Sequence, residues 1–288
     1  MKPLAVIVGE TGSGKSALAL EIAEKYNGEI VGADSWTVYR GFDIGTAKPN
    51  AEEMARVPHH LFDVVDAPEG FNAVIFKRLA TVAIEEIQTR GKLPILVGGT
   101  GLYIDSVLYD YKFMPSGEPG ERERLNEMSL DELLTEATQQ NIALGHIDTR
   151  NKRRVIRAIE TKGMVPVRKQ LRSNTLMFGI ATDRDTLHGR VTTRVDAMLA
   201  AGLEAEVLQL AELYGWDVEP MKGIGYREWR DYFLGTQNLA QTRERIISST
   251  INLAKRQRTW FKRNSSIQWL NNSGEYVDLL TTFLNKKT

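Results

Sequence analysis

The chain has 288 residues, 37 Lys and Arg balanced by 37 Asp and Glu, and no cysteine. This length fits one large domain or one core with a smaller insert. The charge balance creates no global positive field, so any polyanion must be met by local basic patches. The lack of cysteine excludes disulfides, cysteine-ligated zinc and thiol catalysis, and it is compatible with a reducing compartment.

The N-terminal segment reads as a strand from residue 4 and has no signal-peptide layout. No apolar run approaches the length of about 18 residues that a transmembrane helix needs. We therefore expect a cytoplasmic protein that has no membrane partner.

The predicted elements alternate between buried strands and helices in the first part of the chain. Residues 4–9 are predicted as a strand, 14–26 as a helix, 28–34 as a strand, 36–70 as irregular, 72–90 as a helix, 93–99 as a strand and 102–108 as a helix. This alternation predicts an α/β fold with a parallel sheet covered on both faces.

The pattern changes after residue 112. Chain breakers at Pro115, Gly117, Pro119 and Gly120 precede a run of charged residues and Leu, which predicts a small helical insert over 113–149. A strand is expected again at 176–182, helices near 185–201, 203–214, 226–234 and 239–263, and a last short strand at 267–270. The predicted organisation is a core at 1–112, the insert, and the remainder of the core with a helical C-terminal part at 150–288.

A phosphate-binding loop is the most specific local motif. The first strand runs into Gly9-x-x-x-x-Gly14-Lys15-Ser16, which predicts a core similar to that of P-loop NTPases. Glycines let backbone N–H groups point at an anion, and the following helix adds its positive N-terminus. Lys15 would contact the outer phosphates, and the Ser16 hydroxyl is placed to ligate Mg²⁺. The candidate phosphate-binding residues are Gly9, Thr11, Gly12, Ser13, Gly14, Lys15 and Ser16.

The loop alone fits kinases, NTPases and transferases of diphosphate compounds equally well. The strand at 93–99 has no acid at its end, where NTPases usually carry an Asp that organises Mg²⁺. Asp34 is the nearest acid at a strand end, and it would lie beside the loop if both strands reach the carboxyl edge of the sheet. It is therefore a candidate general base or an acid near Mg²⁺, and a turn or helix cap is its alternative role.

Two basic clusters indicate a polyanionic partner. Residues 150–157 and 255–263 each contain five cations, and the second cluster includes Trp260 and Phe261. Cations with aromatic side chains suit RNA, whose phosphates and splayed bases are both contacted. A solvated helix face is the alternative for each cluster.

Further segments follow the phosphate loop in a specific order. They are DSWTVYRGFDIGTAKPN at 34–50, VPHHLFDVVDAPEGFNAVIF at 57–76, PILVGGTGLY at 94–103, NKRRVIRAIE at 151–160, KGIGYREW at 222–229 and LAKRQRTWFKR at 253–263. Together with GETGSGKS at 9–16, they resemble the tRNA dimethylallyltransferase family. The resemblance covers almost the whole chain except about 110–149, where this chain is shorter than is usual in the family.

The resemblance implies transfer of a dimethylallyl group from dimethylallyl diphosphate to the exocyclic amine of the tRNA adenosine immediately 3′ of the anticodon. It implies an Mg²⁺-dependent monomer that binds the tRNA anticodon stem-loop. Asp34 matches the acid that takes a proton from the attacking amine. Arg194 matches an arginine that faces the diphosphate, and Arg190 is a second choice. Asp34, Lys15 and Arg194 would then be the catalytic residues.

The resemblance also implies a set of tRNA contacts. The implied residues are Asp34, Ser35, Trp36, Thr37, Thr100, Arg153, Arg154, Arg157, Lys222, Gly223, Gly225, Tyr226 and Arg227, and the second basic cluster adds Arg256 and Arg258. The family often has Gln or an aliphatic residue at the position of Thr37, and Trp36 is larger than the usual occupant. We therefore expect recognition of the base beside Asp34 to differ in detail.

Three other functions compete with this one. A small-molecule kinase would share the loop, but the basic clusters and the GTAKP segment argue against it. An isopentenyltransferase of free adenine nucleotides would have less need for the cations. A catalytically silent tRNA-binding protein would not need the set of residues Lys15, Ser16, Asp34 and Arg194.

Overall fold

The computed structural model describes residues 1–114, 117, 118, 120–270 and 274–285. Within those ranges, six parallel strands form one sheet in the order β3-β2-β4-β1-β5-β6. The strands are β1 (Leu4–Val8), β2 (Gly28–Gly32), β3 (His59–His60), β4 (Leu93–Gly98), β5 (Thr175–Ile180) and β6 (Ile267–Leu270). The predicted parallel α/β sheet is confirmed.

The helices of the core cover both faces of the sheet. They are α1 (Lys15–Lys25), α2 (Ala51–Arg56), α3 (Ala73–Thr89) and α4 (Gly101–Leu108) in the first part of the chain. After a second unit that contains α5 (Glu121–Glu127), α6 (Leu130–Gln139) and α7 (Lys152–Glu160), they continue with α8 (Arg184–Ala200), α9 (Leu203–Tyr214), α10 (Arg230–Phe233), α11 (Leu239–Phe261) and α12 (Tyr276–Asn285).

The central strand β1 is apolar on both sides because both faces of the sheet are covered. All five of its residues are completely buried. Ala5 and Ile7 pack with α1 and α12 in one core cluster. A second cluster joins α8, α9 and α11 to the aromatic residues of the segment after β2. The carboxyl ends of β1, β2 and β4 thus meet at one edge of the sheet, beside these helices.

Three elements differ from the sequence prediction. The segment 36–70, predicted as irregular, contains α2 and β3. The helix begins with a capping box in which Asn50 and Glu53 satisfy each other's backbone N–H groups, a local signal that the sequence carries. Helix α12 was not predicted, although Tyr276 and Leu280 lie one turn apart and are both buried.

Residues Tyr109–Gln170 form a compact unit of their own. Its apolar core joins Leu125 and Leu133 to Val155, Ile156 and Ile159 of α7. Because α7 supplies one side of this core, the unit is longer than the predicted insert at 113–149. Two of the predicted chain breakers, Pro115 and Pro119, lie outside the described residues.

Gly98 provides a test of how closely β4 approaches the segment after β2. A Cβ at Gly98 would lie 2.0 Å from the carbonyl oxygen of Ala33. Gly98→Ala is therefore expected to lower the free energy of unfolding by about 3 kcal/mol, because the backbone must move to relieve the overlap. Urea unfolding measures this loss, and Gly70→Ala is the control because no atom of the described residues lies within 4 Å of its added Cβ. Equal urea midpoints for the two variants would contradict the prediction.

Candidate active site

The phosphate loop connects β1 to α1 at the carboxyl edge of the sheet. Gly12 and Gly14 have φ angles of 81° and 94°, in the left-handed region that favours glycine. The N–H of Ser13 donates to the carbonyl of Glu10 over 3.2 Å, which closes the turn. Among the residues that the structure describes, no side chain caps the N-terminus of α1 at Gly14. The first amides of α1 are therefore suited to bind an anion.

Three cationic side chains surround this loop. Lys15 Nζ donates to the carbonyl of Glu10 over 3.3 Å. Helix α8 contributes Arg190, which donates to the carbonyl of Ser13 over 3.2 Å, and Arg194, which donates to the Thr11 hydroxyl over 3.4 Å. The two arginines lie four residues apart and so share one face of α8. The structure therefore brings together the residues that the sequence assigned to diphosphate binding.

The electrostatics of this group favour an anionic ligand. The pKa of Lys15 is lowered to about 8, chiefly by burial and also by the charge of Arg194, although Asp34 and Glu10 act in the opposite direction. Burial also lowers the pKa of Arg194, and Asp34 opposes this shift. Positive charges that are desolvated and close together are stabilised when a diphosphate binds between them.

Asp34 follows β2 and is oriented by its own turn. Its Oδ1 accepts a hydrogen bond of 2.9 Å from the N–H of Trp36. The Thr100 hydroxyl oxygen accepts a hydrogen bond of 3.1 Å from the N–H of Ser35, which ties this turn to the segment after β4. Asp34 therefore caps its own turn, as its alternative role predicts. It also lines one cavity with Lys15 and Ser16 of the phosphate loop.

Two cavities meet at Asp34. The first, here the loop-side cavity, is lined by Lys15 and Ser16 and by apolar residues that include Ile30, Phe62 and Val97. The second, here the helix-side cavity, is lined by Trp36, Met198, Ile224, Gly225 and Leu253. The residues that line both cavities are Thr11, Asp34, Thr46 and Arg194. A ligand in each cavity would therefore meet the other beside a carboxylate and a guanidinium.

Trp36 and Thr37, the two residues that differ from those expected from the family resemblance, line the cavities. Trp36 lines the helix-side cavity, and a Cβ at Gly223 would lie 3.1 Å from its ring. Thr37 is buried and lines the loop-side cavity, where its hydroxyl has no hydrogen-bond partner among the described residues. Tyr103, an aromatic residue in the segment after β4, is a core residue that stacks on Phe76 and lines neither cavity.

Gln257 of α11 is a site residue that the sequence reasoning missed. Its Oε1 accepts a hydrogen bond of 2.8 Å from the N–H of Thr11, and its Nε2 donates to the carbonyl of Gly99 over 3.1 Å. A Cβ at Gly99 would lie 2.2 Å from this amide. The spacing of Ala254, Gln257 and Phe261 on the buried face of α11 is the sequence signal that could have identified it.

Part of the second basic cluster contacts the residues that support the site. Arg258 pairs with the buried carboxylate of Glu10, at 2.8 Å between Nε and Oε2, and also donates to the carbonyl of Thr182. Phe261 is buried, and Trp260 Nε1 donates to Asp105 over 3.1 Å. Phe261 is therefore a core residue and not a surface contact, whereas Arg258 and Trp260 are partly exposed and Arg256 is exposed. The contact of Arg258 with RNA stays a prediction.

The other predicted RNA contacts also include both exposed residues and residues that are buried or hydrogen-bonded within the protein. On α7, Arg153 and Arg154 are exposed, whereas Arg157 donates to the carbonyl of Met114 over 2.7 Å and to Glu160. Near the helix-side cavity, the exposed residues are Lys222 and Arg227, while Gly223, Gly225 and Tyr226 are buried. Tyr226 donates its hydroxyl to Glu206 over 2.7 Å, so that it supports this segment from within.

Two further properties bear on possible ligands. Among the described residues, no three His, Cys, Asp or Glu side chains form a group that could hold a metal ion. Ser16, which follows Lys15 in the sequence, also lines the loop-side cavity. In the part of the chain that the structure describes, no helix is both long and apolar enough to span a membrane.

A phosphate loop at the carboxyl edge of a parallel sheet, with the acid Asp34 just after β2 in the same cavity, defines an α/β enzyme of the P-loop class. The family model described as IPP transferase matches residues 37–264. The chain therefore belongs to the IPP transferase family.

Individual relatives agree with this assignment. The tRNA dimethylallyltransferase of Bacillus velezensis is 38% identical over 284 residues, which covers 93% of this chain and 90% of that protein. The protein of the same name from Desulforudis audaxviator is 42% identical over 285 residues, covering 93% and 91%.

Solved structures have the same fold. The tRNA isopentenylpyrophosphate transferase of Bacillus halodurans has a TM-score of 0.77 and 35% identity, with 99% of this chain and 98% of that chain covered. A eukaryotic dimethylallyltransferase solved while acting on tRNA has a TM-score of 0.86 and 27% identity, with 100% and 81% covered.

Proposed function

We propose that this protein transfers the dimethylallyl group of dimethylallyl diphosphate to the exocyclic amine of the tRNA adenosine immediately 3′ of the anticodon. The junction of the two cavities at Asp34 is the observation that carries the proposal. The loop-side cavity offers cations for a diphosphate and apolar walls for a prenyl chain. The helix-side cavity offers Trp36 for stacking with a base.

The reaction is a displacement at the first carbon of the prenyl chain. The amine nitrogen forms a bond to this carbon while the bond between the carbon and the diphosphate oxygen breaks. The diphosphate leaves with the electron pair of that broken bond. Asp34 accepts the proton that the amine loses. Lys15 and Arg194 stabilise the negative charge that grows on the leaving oxygen, with Arg190 as a further contact.

The loop-side cavity can hold Mg²⁺ through few protein oxygens. Mg²⁺ is usually held by one or two protein oxygens together with phosphate oxygens and water. The Ser16 hydroxyl would supply such an oxygen, and Asp34 lines the same cavity. When bound, Mg²⁺ would neutralise charge on the diphosphate.

The tRNA is proposed to bind over the helix-side cavity and along exposed cations. Ser35, Trp36, Thr37 and Thr100 surround Asp34, and Lys222 and Arg227 lie on the segment that lines the cavity mouth. Arg153, Arg154 and Arg256 would contact phosphates of the anticodon stem-loop. Because one chain contains both cavities, we propose that the protein acts as a monomer.

The function is tested with dimethylallyl diphosphate and an unmodified anticodon stem-loop of tRNA. We expect mass spectrometry to find one added five-carbon group on the adenosine 3′ of the anticodon. A reaction with free adenosine monophosphate that is as fast as that with RNA would favour a nucleotide isopentenyltransferase. Phosphoryl transfer from ATP to a small molecule would favour a kinase.

Reversal of charge on α7 is expected to weaken RNA binding. The double variant Arg153→Glu and Arg154→Glu should bind the stem-loop less tightly and with a smaller salt slope, because each lost phosphate contact removes about 0.7 from that slope. A filter-binding salt titration measures both quantities. Arg243→Glu is the control, because Arg243 pairs with Asp196 at 2.5 Å. Identical salt slopes for all three proteins would show that α7 does not contact RNA.

A further inference from the structure

Glu206 of α9 accepts four hydrogen bonds, although the reaction described above does not use it. Its Oε2 accepts from the N–H groups of Asp43 and Ile44, over 3.2 and 2.8 Å. Its Oε1 accepts from the N–H of Gly45 over 3.1 Å and from the Tyr226 hydroxyl over 2.7 Å. Three successive amides directed at one carboxylate form a backbone nest, a structure that binds anions.

The backbone held in this way continues directly into the walls of the site. Gly45 lines the helix-side cavity, Thr46 lines both cavities, and Ala47 lines the loop-side cavity. Ala47 also lies in a groove with Gly14, Lys15 and Ser16 of the phosphate loop. The position of residues 43–47 therefore determines the shape of the space that each ligand enters.

Tyr226 packs against the same segment. A Cβ at Gly45 would lie 2.5 Å from the Tyr226 ring, and a Cβ at Gly225 would lie 3.2 Å from the carbonyl oxygen of Gly45. Burial, with a contribution from Glu206, raises the pKa of Tyr226 well above its ordinary value. The hydroxyl therefore stays protonated and remains a donor to Glu206.

We propose that Glu206 is a positioning residue that holds residues 43–47 in the shape that the two cavities require, with Tyr226 as the second anchor. Glu206 contacts neither substrate and acts through the backbone of this segment. The inference rests on the proposed function, because the ligands of the two cavities are those assigned there.

A carboxylate is required because each of its oxygens accepts two hydrogen bonds. A glutamine amide has a single acceptor oxygen, and its NH₂ group would face other N–H donors. Glu206→Gln therefore removes two acceptor sites and introduces a donor in their place. Tyr226→Phe is a milder variant, since it keeps the ring against Gly45 and removes only the hydroxyl.

The same helix provides a matched control pair. Glu204 of α9 accepts a hydrogen bond of 2.9 Å from the Tyr232 hydroxyl. Neither residue lines the loop-side or the helix-side cavity. Glu204→Gln and Tyr232→Phe thus remove the same kind of interaction from the same helix without disturbing residues 43–47.

Steady-state kinetics of prenyl transfer test the proposal, with kcat and the two KM values determined separately. Glu206→Gln is expected to lower kcat/KM for dimethylallyl diphosphate about 10–100-fold, the effect of a displaced wall of the site. Tyr226→Phe should lower it about tenfold, as expected for one hydrogen bond to a charged group. The two control variants should keep the wild-type kcat/KM even where their melting temperatures fall by a similar amount.

Binding of inorganic diphosphate, measured by calorimetry, separates failure of the inference from failure of the proposed function. If the wild type binds diphosphate but transfers no prenyl group, the proposed function is wrong. The inference is then decided by whether Tyr226→Phe binds diphosphate more weakly than Tyr232→Phe. Equal values for these two variants, in kinetics or in binding, would overturn the role of Glu206, even if Glu206→Gln fails to fold.

Discussion

Asp34→Asn is expected to slow prenyl transfer about 10²–10⁴-fold, the usual loss when a positioned general base is removed. The amide keeps the shape of the side chain, and its oxygen can still accept the 2.9 Å hydrogen bond from the Trp36 N–H. The affinity for tRNA should therefore be nearly unchanged. Single-turnover rates with saturating enzyme measure the chemical step, and filter binding measures the affinity.

The control for this experiment is a carboxylate away from the cavities. Asp66→Asn removes a half-exposed carboxylate that pairs with Arg40 at 3.1 Å, and it should react at the wild-type rate. If Asp34→Asn also reacts at that rate, Asp34 acts only as a turn cap. If it reacts slowly and also binds tRNA weakly, the turn at 34–36 contributes to RNA binding.

The central parts of the fold and of the site could be predicted because their signals are local. The phosphate loop occupies eight successive residues, and Asp34 follows directly on a buried strand. The parallel arrangement of strands follows from their alternation with helices, so it brings both motifs to the same edge. The position of Arg190 and Arg194 beside the loop came from the family resemblance, since one turn of α8 carries no phosphate motif of its own.

The parts that could not be predicted depend on contacts between distant segments. Arg258 lies in a run of cations that resembles a solvated or RNA-binding face, yet its partner Glu10 is 248 residues away. The same holds for Gln257 and Thr11, and for Glu206 and the amides of 43–45. Composition and spacing cannot show which cation of a cluster turns inward, because that choice is made by the packing of α11 against the loop.

Replacement of Lys15 is expected to have the other large effect. Lys15→Ala should lower kcat/KM for dimethylallyl diphosphate about 10²–10³-fold, as for loss of one donor to a developing negative charge. Burial lowers the pKa of Lys15 to about 8 in the protein without ligand. The ammonium is therefore charged below about pH 8 and loses its proton as the pH rises above this value.

This pKa predicts a pH dependence for binding that has a definite sign. A diphosphate favours the charged lysine, so above about pH 8 binding must be accompanied by uptake of a proton. The affinity for a thiolodiphosphate analogue of dimethylallyl diphosphate should change little between about pH 7 and pH 8, where Lys15 is charged and the terminal phosphate is fully ionised. Above about pH 8, the affinity should fall by up to about tenfold per pH unit, since one proton is taken up per site.

Lys15→Arg identifies the group that is responsible. Arginine keeps its charge throughout this range, so the variant should bind the analogue with little pH dependence, whereas Lys15→Ala should bind weakly at every pH. Calorimetry in two buffers of different ionisation enthalpy counts the protons taken up, with one expected for the wild type above pH 8 and none for either variant. If Lys15→Arg showed the wild-type slope, the titrating group would lie elsewhere in the cavity, and Lys15 would bind the diphosphate as a fixed charge.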